Sequence, residues 1–179
     1  MQIAIINNDE IVEIGDTSTL FPNISFPSTG PSINFLLENS AMPLIVWEPF
    51  DGTVEKLERV EPYINDNKVY TCRIVKKTES ELASESIRAQ KALIDHIIHQ
   101  TQMKLDDFAK IRNYDNIQSA CTYASSSISK FKEEGQRCID LRDQTWSTLY
   151  TILDDVNSGV TPFPTSFDDI QPLLPELSW

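Results

Sequence analysis

The sequence predicts an α+β fold: a small N-terminal antiparallel β domain, then a long helix, then a C-terminal helical domain. Three observations lead there. Up to residue 77 the chain carries short β-rich runs punctuated by proline and by Asn/Asp turns. At Thr78 and Glu81 a capping-box pair opens a stretch with no residue that stops a helix before Asn113. From there to about residue 158 apolar side chains recur at helical spacing. The predicted division is a β-rich docking domain at 1–77, a linker or stalk helix at 78–111, and a helical domain at 112–179.

In the first part, Met1–Ile6 is a β-rich run and Ile11–Ile14 alternates. The Asn7-Asn8-Asp9 segment between them tolerates positive φ, so the pair reads as a hairpin. The stretch Leu20 to Pro27 has two prolines and reads as an edge or extended segment, because proline donates no ladder hydrogen bond. A short helix is expected over 31–39, with Ser32 near its start and Phe35, Leu36 and Leu37 turned inward. Leu44–Trp47 reads as a strand, and Lys56–Val60 as another. Asn65-Asp66-Asn67 is a turn between Pro62-Tyr63-Ile64 and the alternating run Val69–Val75.

The helix opened by Thr78 has room for roughly 32 residues, a length of roughly 48 Å. Ile87, Ile94, Thr101 and Phe108 fall seven apart along it, with Ile98 and Leu105 between; Gln90, Lys91 and Lys104 interrupt the seam. Two readings follow. The helix associates with copies of itself, as in a trimeric stalk, or it packs on its own neighbours. A short helix is expected over 115–125 and a long one over 130–158, where Ile139, Trp146 and Leu153 repeat at seven. Gly159 suits the position after the helix end, and Pro162 blocks extension. Ser166 with Asp168 and Asp169 caps a last short helix.

Charge narrows the function. The chain has 27 acids against 15 bases, a formal charge of −12, and a pI near 4.5. The excess lies in both halves. Phosphates would be repelled, so neither nucleic acid nor an anionic membrane is an expected partner. No run approaches the length of a membrane span, and the N-terminus lacks the basic and apolar regions of a signal peptide. Cys72, Cys121 and Cys138 are odd in number and far apart, which fits buried free thiols in a chain folded in a reducing cytosol rather than a disulfide framework.

Candidate chemistry is sparse, and the expectation is a protein without catalytic residues or cofactor. His96 and His99 share a helix face at i, i+3 and are the metal-ligand candidates. Two ligands are too few for tight zinc unless an oligomer axis brings copies together, so no metal is expected. Acid pairs occur at Asp106-Asp107, Glu133-Glu134, Asp154-Asp155 and Asp168-Asp169. Solvated faces and helix ends account for them, although a glycosidase pair drawn from separate elements is invisible to sequence. Five glycines, none in a phosphate-loop pattern, leave no nucleotide motif. Aromatic residues are the better lead, since interfaces favour Tyr and Trp. Trp47, Phe50, Tyr114, Tyr123 and Trp179 are the candidate partner-binding residues.

Two blocks carry a family resemblance. One is Leu20-Phe21-Pro22-Asn23-Ile24-Ser25-Phe26-Pro27 with Gly30-Pro31, Phe35-Leu36 and Val46-Trp47-Glu48-Pro49-Phe50. The other is Arg112-Asn113-Tyr114-Asp115-Asn116-Ile117, Ser119 to Ala124, Lys130 to Gln136, Arg142-Asp143, Trp146 and the closing Pro164-Thr165 to Leu177-Ser178-Trp179. Together they resemble small tail proteins of tailed bacteriophages, described as tail-fibre proteins, tail-fibre assembly proteins or tail assembly chaperones. The resemblance implies a structural subunit of the tail tip, associated with fibre or baseplate. It implies other phage tail proteins as partners, and a place in the virion tail after synthesis in the host bacterial cytoplasm. An assembly chaperone absent from the particle and a glycan-degrading tail component are the alternatives.

Overall fold

The computed structural model describes residues 1–179, which divide into two compact units, Met1–Ala83 and Ser84–Trp179. The fold is α+β, with a curled sheet in the first unit and helices in the second. No helix is long and apolar enough to cross a membrane.

The sheet starts as the predicted hairpin. β1 (Gln2–Asn7) and β2 (Glu10–Asp16) pair antiparallel. Asn8 and Asp9 turn the chain at φ 52° and 63°, left-handed values that Asn and Asp tolerate better than most residues. A single turn of helix, α1 (Thr17–Leu20), and a short helix, α2 (Ile33–Glu38), follow. Ser32 caps α2, its hydroxyl accepting from the Phe35 N–H at 3.2 Å. Leu36 is buried as expected, but Leu37 points to solvent. Adjacent helical residues diverge by about 100°, so a helix this short cannot turn both inward.

β3 (Ala41–Ile45), β4 (Glu55–Asn65) and β5 (Lys68–Lys76) complete a sheet of order β2-β1-β3-β5-β4. Three pairings are antiparallel. The contact of β3 with β5 is parallel, Leu44 opposite Val69 and Ile45 opposite Tyr70, which departs from the purely antiparallel domain predicted. β1 is covered on both faces. Ile3 packs with Leu36 and Ala41, whereas Ala4 and Ile6 pack with Val69 on the other side. A continuous apolar run, rather than strict alternation, is the pattern for such a strand.

The capping box forms as the sequence predicts. The Thr78 N–H donates to Glu81 Oε2 at 2.9 Å, and the Glu81 N–H donates to Thr78 Oγ1 at 3.2 Å. α3 (Glu79–Lys110) then runs 32 residues. Glu81 also pairs with Lys56 of β4. The Lys56 ammonium and the Thr78 N–H hold the Glu81 carboxyl down at about 2, against an ordinary value of 4.5. A carboxyl depressed in the folded state stabilises above its unfolded value and loses that contribution as pH falls through the folded one. Hydrogen-exchange protection at Thr78–Leu82 is therefore expected to decline as pH drops from 4.5 toward about 2. E81Q should show reduced protection throughout; equal protection in E81Q and the parent would refute the tie.

The second unit takes α3 from Ser84 onward. Ile97, Thr101, Leu105, Phe108 and Ala109 are its buried residues. They pack with α5 (Ser129–Asn157) and the C-terminal segment rather than forming a free stalk. Residues 84–110 thus belong to the helical unit, not to a separate linker. Between α3 and α5 lie α4 (Ile117–Thr122) and a 3-10 turn at Tyr123–Ser125. Asn113 (φ 63°) ends α3 where the sequence places the stop. α5 ends in the expected left-handed glycine, Gly159 at φ 74°. The Gly159 N–H donates to Val156 O and the Val160 N–H to Asp155 O, at 3.1 and 2.9 Å, which is a Schellman closure. The expected last short helix is a 3-10 turn, Phe167–Asp169, capped by Ser166 and followed by a second 3-10 turn at Gln171–Leu173.

Candidate functional site

The most built surface feature of the first unit is the loop from Val46 to Val54, between β3 and β4. Trp47 is 61% exposed and Phe50 37%, with Val46 and Val54 exposed beside them. Leu44–Trp47 was expected as strand, but β3 stops at Ile45 because only Leu44 and Ile45 pair with β5. The two aromatic residues therefore leave the sheet and enter the loop.

Hydrogen bonds fix the second half of that loop, from Asp51 to Glu55, next to Phe50. Asp51 Oδ1 accepts from the Thr53 N–H at 2.9 Å and from the Thr53 hydroxyl at 2.6 Å. Glu55 Oε2 accepts from the Asp51 N–H at 3.1 Å, and Lys77 Nζ donates to Gly52 O at 2.6 Å. The Thr53 hydroxyl and N–H hold the Asp51 carboxyl below its usual range. An apolar display on a pinned loop loses little entropy when covered, which is what an interface needs. Sequence reasoning found Trp47 and Phe50 but not Val54 or the pin. Asp51-Gly52-Thr53, an Asx-turn pattern, is the signal that would have found the latter.

The other candidate aromatics divide. Tyr123 is exposed, edge-on to Phe131 at 5.8 Å. Tyr114 is buried, and its hydroxyl donates to Glu134 Oε2 at 2.8 Å. Burial and that carboxylate push the phenol up to about 12. Trp179 is half-buried, stacked on Phe108 at 4.3 Å, with its indole N–H donating to Phe108 O at 3.3 Å. Tyr114 is thus corrected from partner-binding residue to core residue, and Trp179 closes the same core. Tyr114 brings these three together, its ring 5.2 Å from that of Tyr123 and 6.3 Å from that of Trp179, whereas Trp47 and Phe50 belong to the first unit.

His96 and His99 are both exposed on α3, and no group of three His, Cys, Asp or Glu side chains is placed to hold a metal ion. Cys72 and Cys138 are buried and Cys121 is half-buried, all as free thiols. Burial pushes the Cys138 thiol up to about 11 and raises the other two, so none is poised as a thiolate. Three of the four acid pairs contribute a side chain that holds structure. Asp106 Oδ1 accepts from the Ile117 N–H at 3.0 Å, Glu134 serves Tyr114, and Asp169 Oδ2 accepts from the Thr165 N–H at 2.8 Å.

The fold and this surface define a two-unit α+β protein that displays apolar aromatic side chains on a pinned loop. No family model matches the chain, no curated protein matches its sequence, and no solved structure matches its fold.

Proposed function

We propose that this protein is a structural subunit of a tailed-phage tail tip, associated with fibre or baseplate, which works by binding another tail protein and not by catalysis. The observation that carries the binding role is the Val46–Val54 loop, where Trp47 and Phe50 stand exposed ahead of the hydrogen-bonded turn at Asp51–Thr53. Exposed aromatic side chains in a fixed geometry are the usual anchors of protein interfaces. The tail assignment draws on the resemblance of the two residue blocks to phage tail proteins.

Virion composition tests the reading. The chain is expected in purified particles, and the W47A/F50A double substitution is expected to reduce its incorporation about ten-fold or more, as loss of about 2 kcal/mol at an anchor implies. Folding stability should change by less than about 1 kcal/mol, because both side chains face solvent. Absence from particles, with a fibre complex in lysate, would replace this reading with an assembly chaperone. Hydrolysis of host glycans that is lost on substituting an acid pair would replace it with an enzyme.

A further inference from the structure

A concave surface lies wholly in the helical unit and has no part in the reading above. The last turns of α5 form one wall, and the segment that returns along them, residues 161–173, forms the other. Together they enclose an open groove of about 710 Å³, floored by Ile152, Val156, Phe163, Ile170 and Leu173. This falls in the size range of ligand clefts.

The walls are fixed. After Gly159 the Val160 and Thr161 N–H groups both donate to Asp155 O, at 2.9 and 3.2 Å, and send the chain back along α5. Pro162 and Pro164 flank Phe163 and prevent helix there. The Thr165 N–H and hydroxyl, both at 2.8 Å, and the Ser166 N–H at 3.2 Å bind Asp169 Oδ2 and lock the far end. Leu173 nevertheless remains 58% exposed.

Charge identifies what would cover this apolar floor. Asp155 and Asp169 line the groove. Residues 143–179, from which the whole groove is made, contain six acids (Asp143, Asp154, Asp155, Asp168, Asp169 and Glu176) and no Lys, Arg or His. Arg142, Arg137 and Arg112 meet this segment only at its two ends, at Asp143, Ser178 and Trp179, and line no part of the groove; Lys104 of α3 borders a separate hollow with Asp168 and Glu176. A second copy of the chain, at −12, would be repelled. We propose that the groove binds a basic, apolar-anchored peptide segment of a partner protein: one Leu, Ile or aromatic side chain seated between the walls, with flanking Lys or Arg facing the Asp155–Asp169 rim. Apolar burial would supply affinity, and the unbalanced carboxylates would select the sign of the partner and speed its approach.

The test uses the full chain to select from a ribosome-displayed random peptide library, and then measures a labelled winner by fluorescence anisotropy. Enriched peptides should place Lys or Arg beside a large apolar residue, and the Lys/Arg-to-Glu copy of the winner should not bind. Leu173→Glu should weaken the winner about ten-fold although it adds negative charge, and Thr161→Arg should weaken it by a similar factor, whereas Ile87→Arg should leave it unchanged. All three positions are exposed, and thermal melts confirm that the variants fold. Enrichment of acidic peptides, or of none, would overturn the proposal. So would a winner that binds both groove variants as tightly as the parent, or one whose binding is lost only in W47A/F50A. Virion composition is measured separately, so the tail reading and the groove can fail independently.

Discussion

Replacing Gly135 with alanine is expected to destabilise the helical unit by about 2–3 kcal/mol, opposite in sign to the usual gain from removing a glycine within a helix. Gly135 is buried in α5, where α5 meets the 3-10 turn at Tyr123–Ser125. A methyl group there would overlap the Ala124 nitrogen and lie 2.6 Å from the Tyr123 carbonyl carbon and 2.9 Å from Ala124 Cα. These are backbone atoms, with no flexible side-chain end to swing aside. Relief requires α5 and the turn to separate, which would loosen the neighbouring core of Tyr114, Ala120 and Cys138. The melting temperature should fall by about 10 °C or more. Gly159 is the control: a methyl there meets nothing within 4 Å, so G159A should cost only about 1 kcal/mol, from left-handed φ alone. A G135A melt at or above that of the parent would show that the close approach is absent.

Trp179→Ala should cost about 3 kcal/mol. The indole stacks on Phe108 with rings 14° apart, lies 6.3 Å from the Tyr114 ring, and carries the Arg112 guanidinium at 5.4 Å from its own. Arg137 holds the preceding residue, its Nε donating to Ser178 O at 3.0 Å. Removing the indole would open the Phe108–Tyr114 side of the core and leave the Phe108 carbonyl without this donor. Trp179→Phe keeps the stack and loses the hydrogen bond, so it should cost about 1 kcal/mol. Urea denaturation measures both. A W179A value within about 0.5 kcal/mol of the parent would return Trp179 to the surface residues available for a partner.

Features governed by local chemistry were legible before the fold was seen. The Asn8-Asp9 and Asp66-Asn67 turns, the Ser32 and Ser166 caps, the Thr78–Glu81 box and the Gly159 stop all depend on residues within a few positions of each other. Trp47 and Phe50 were named from residue type alone, as aromatics of the kind interfaces favour; the sequence put Trp47 in a strand, and the end of β3 pairing at Ile45 is what leaves it in an exposed loop. The seam of α3 was read less well. Ile87, Ile94, Thr101 and Phe108 were expected on one line, but the buried line is Ile97, Thr101, Leu105 and Phe108, and Ile87 is 65% exposed. Neighbouring stripes on one helix are equally regular in sequence, and contact with α5 and the C-terminal segment chooses between them.

Residue order alone carries the caps and stops of α2, α3 and α5, the two Asn/Asp turns, the α+β class and the acidic charge that repels phosphates, because these follow from short-range hydrogen bonding, backbone preference and composition. Long-range contacts are what set β3 parallel to β5, place most of α3 in the helical unit, and make Tyr114 and Trp179 core while Trp47 stays exposed. Each of these depends on residues far apart in the chain meeting in space: Leu44 with Val69, Leu105 with Cys138, Phe108 with Trp179. A side chain's type states what it can bury; its long-range neighbours determine whether it does.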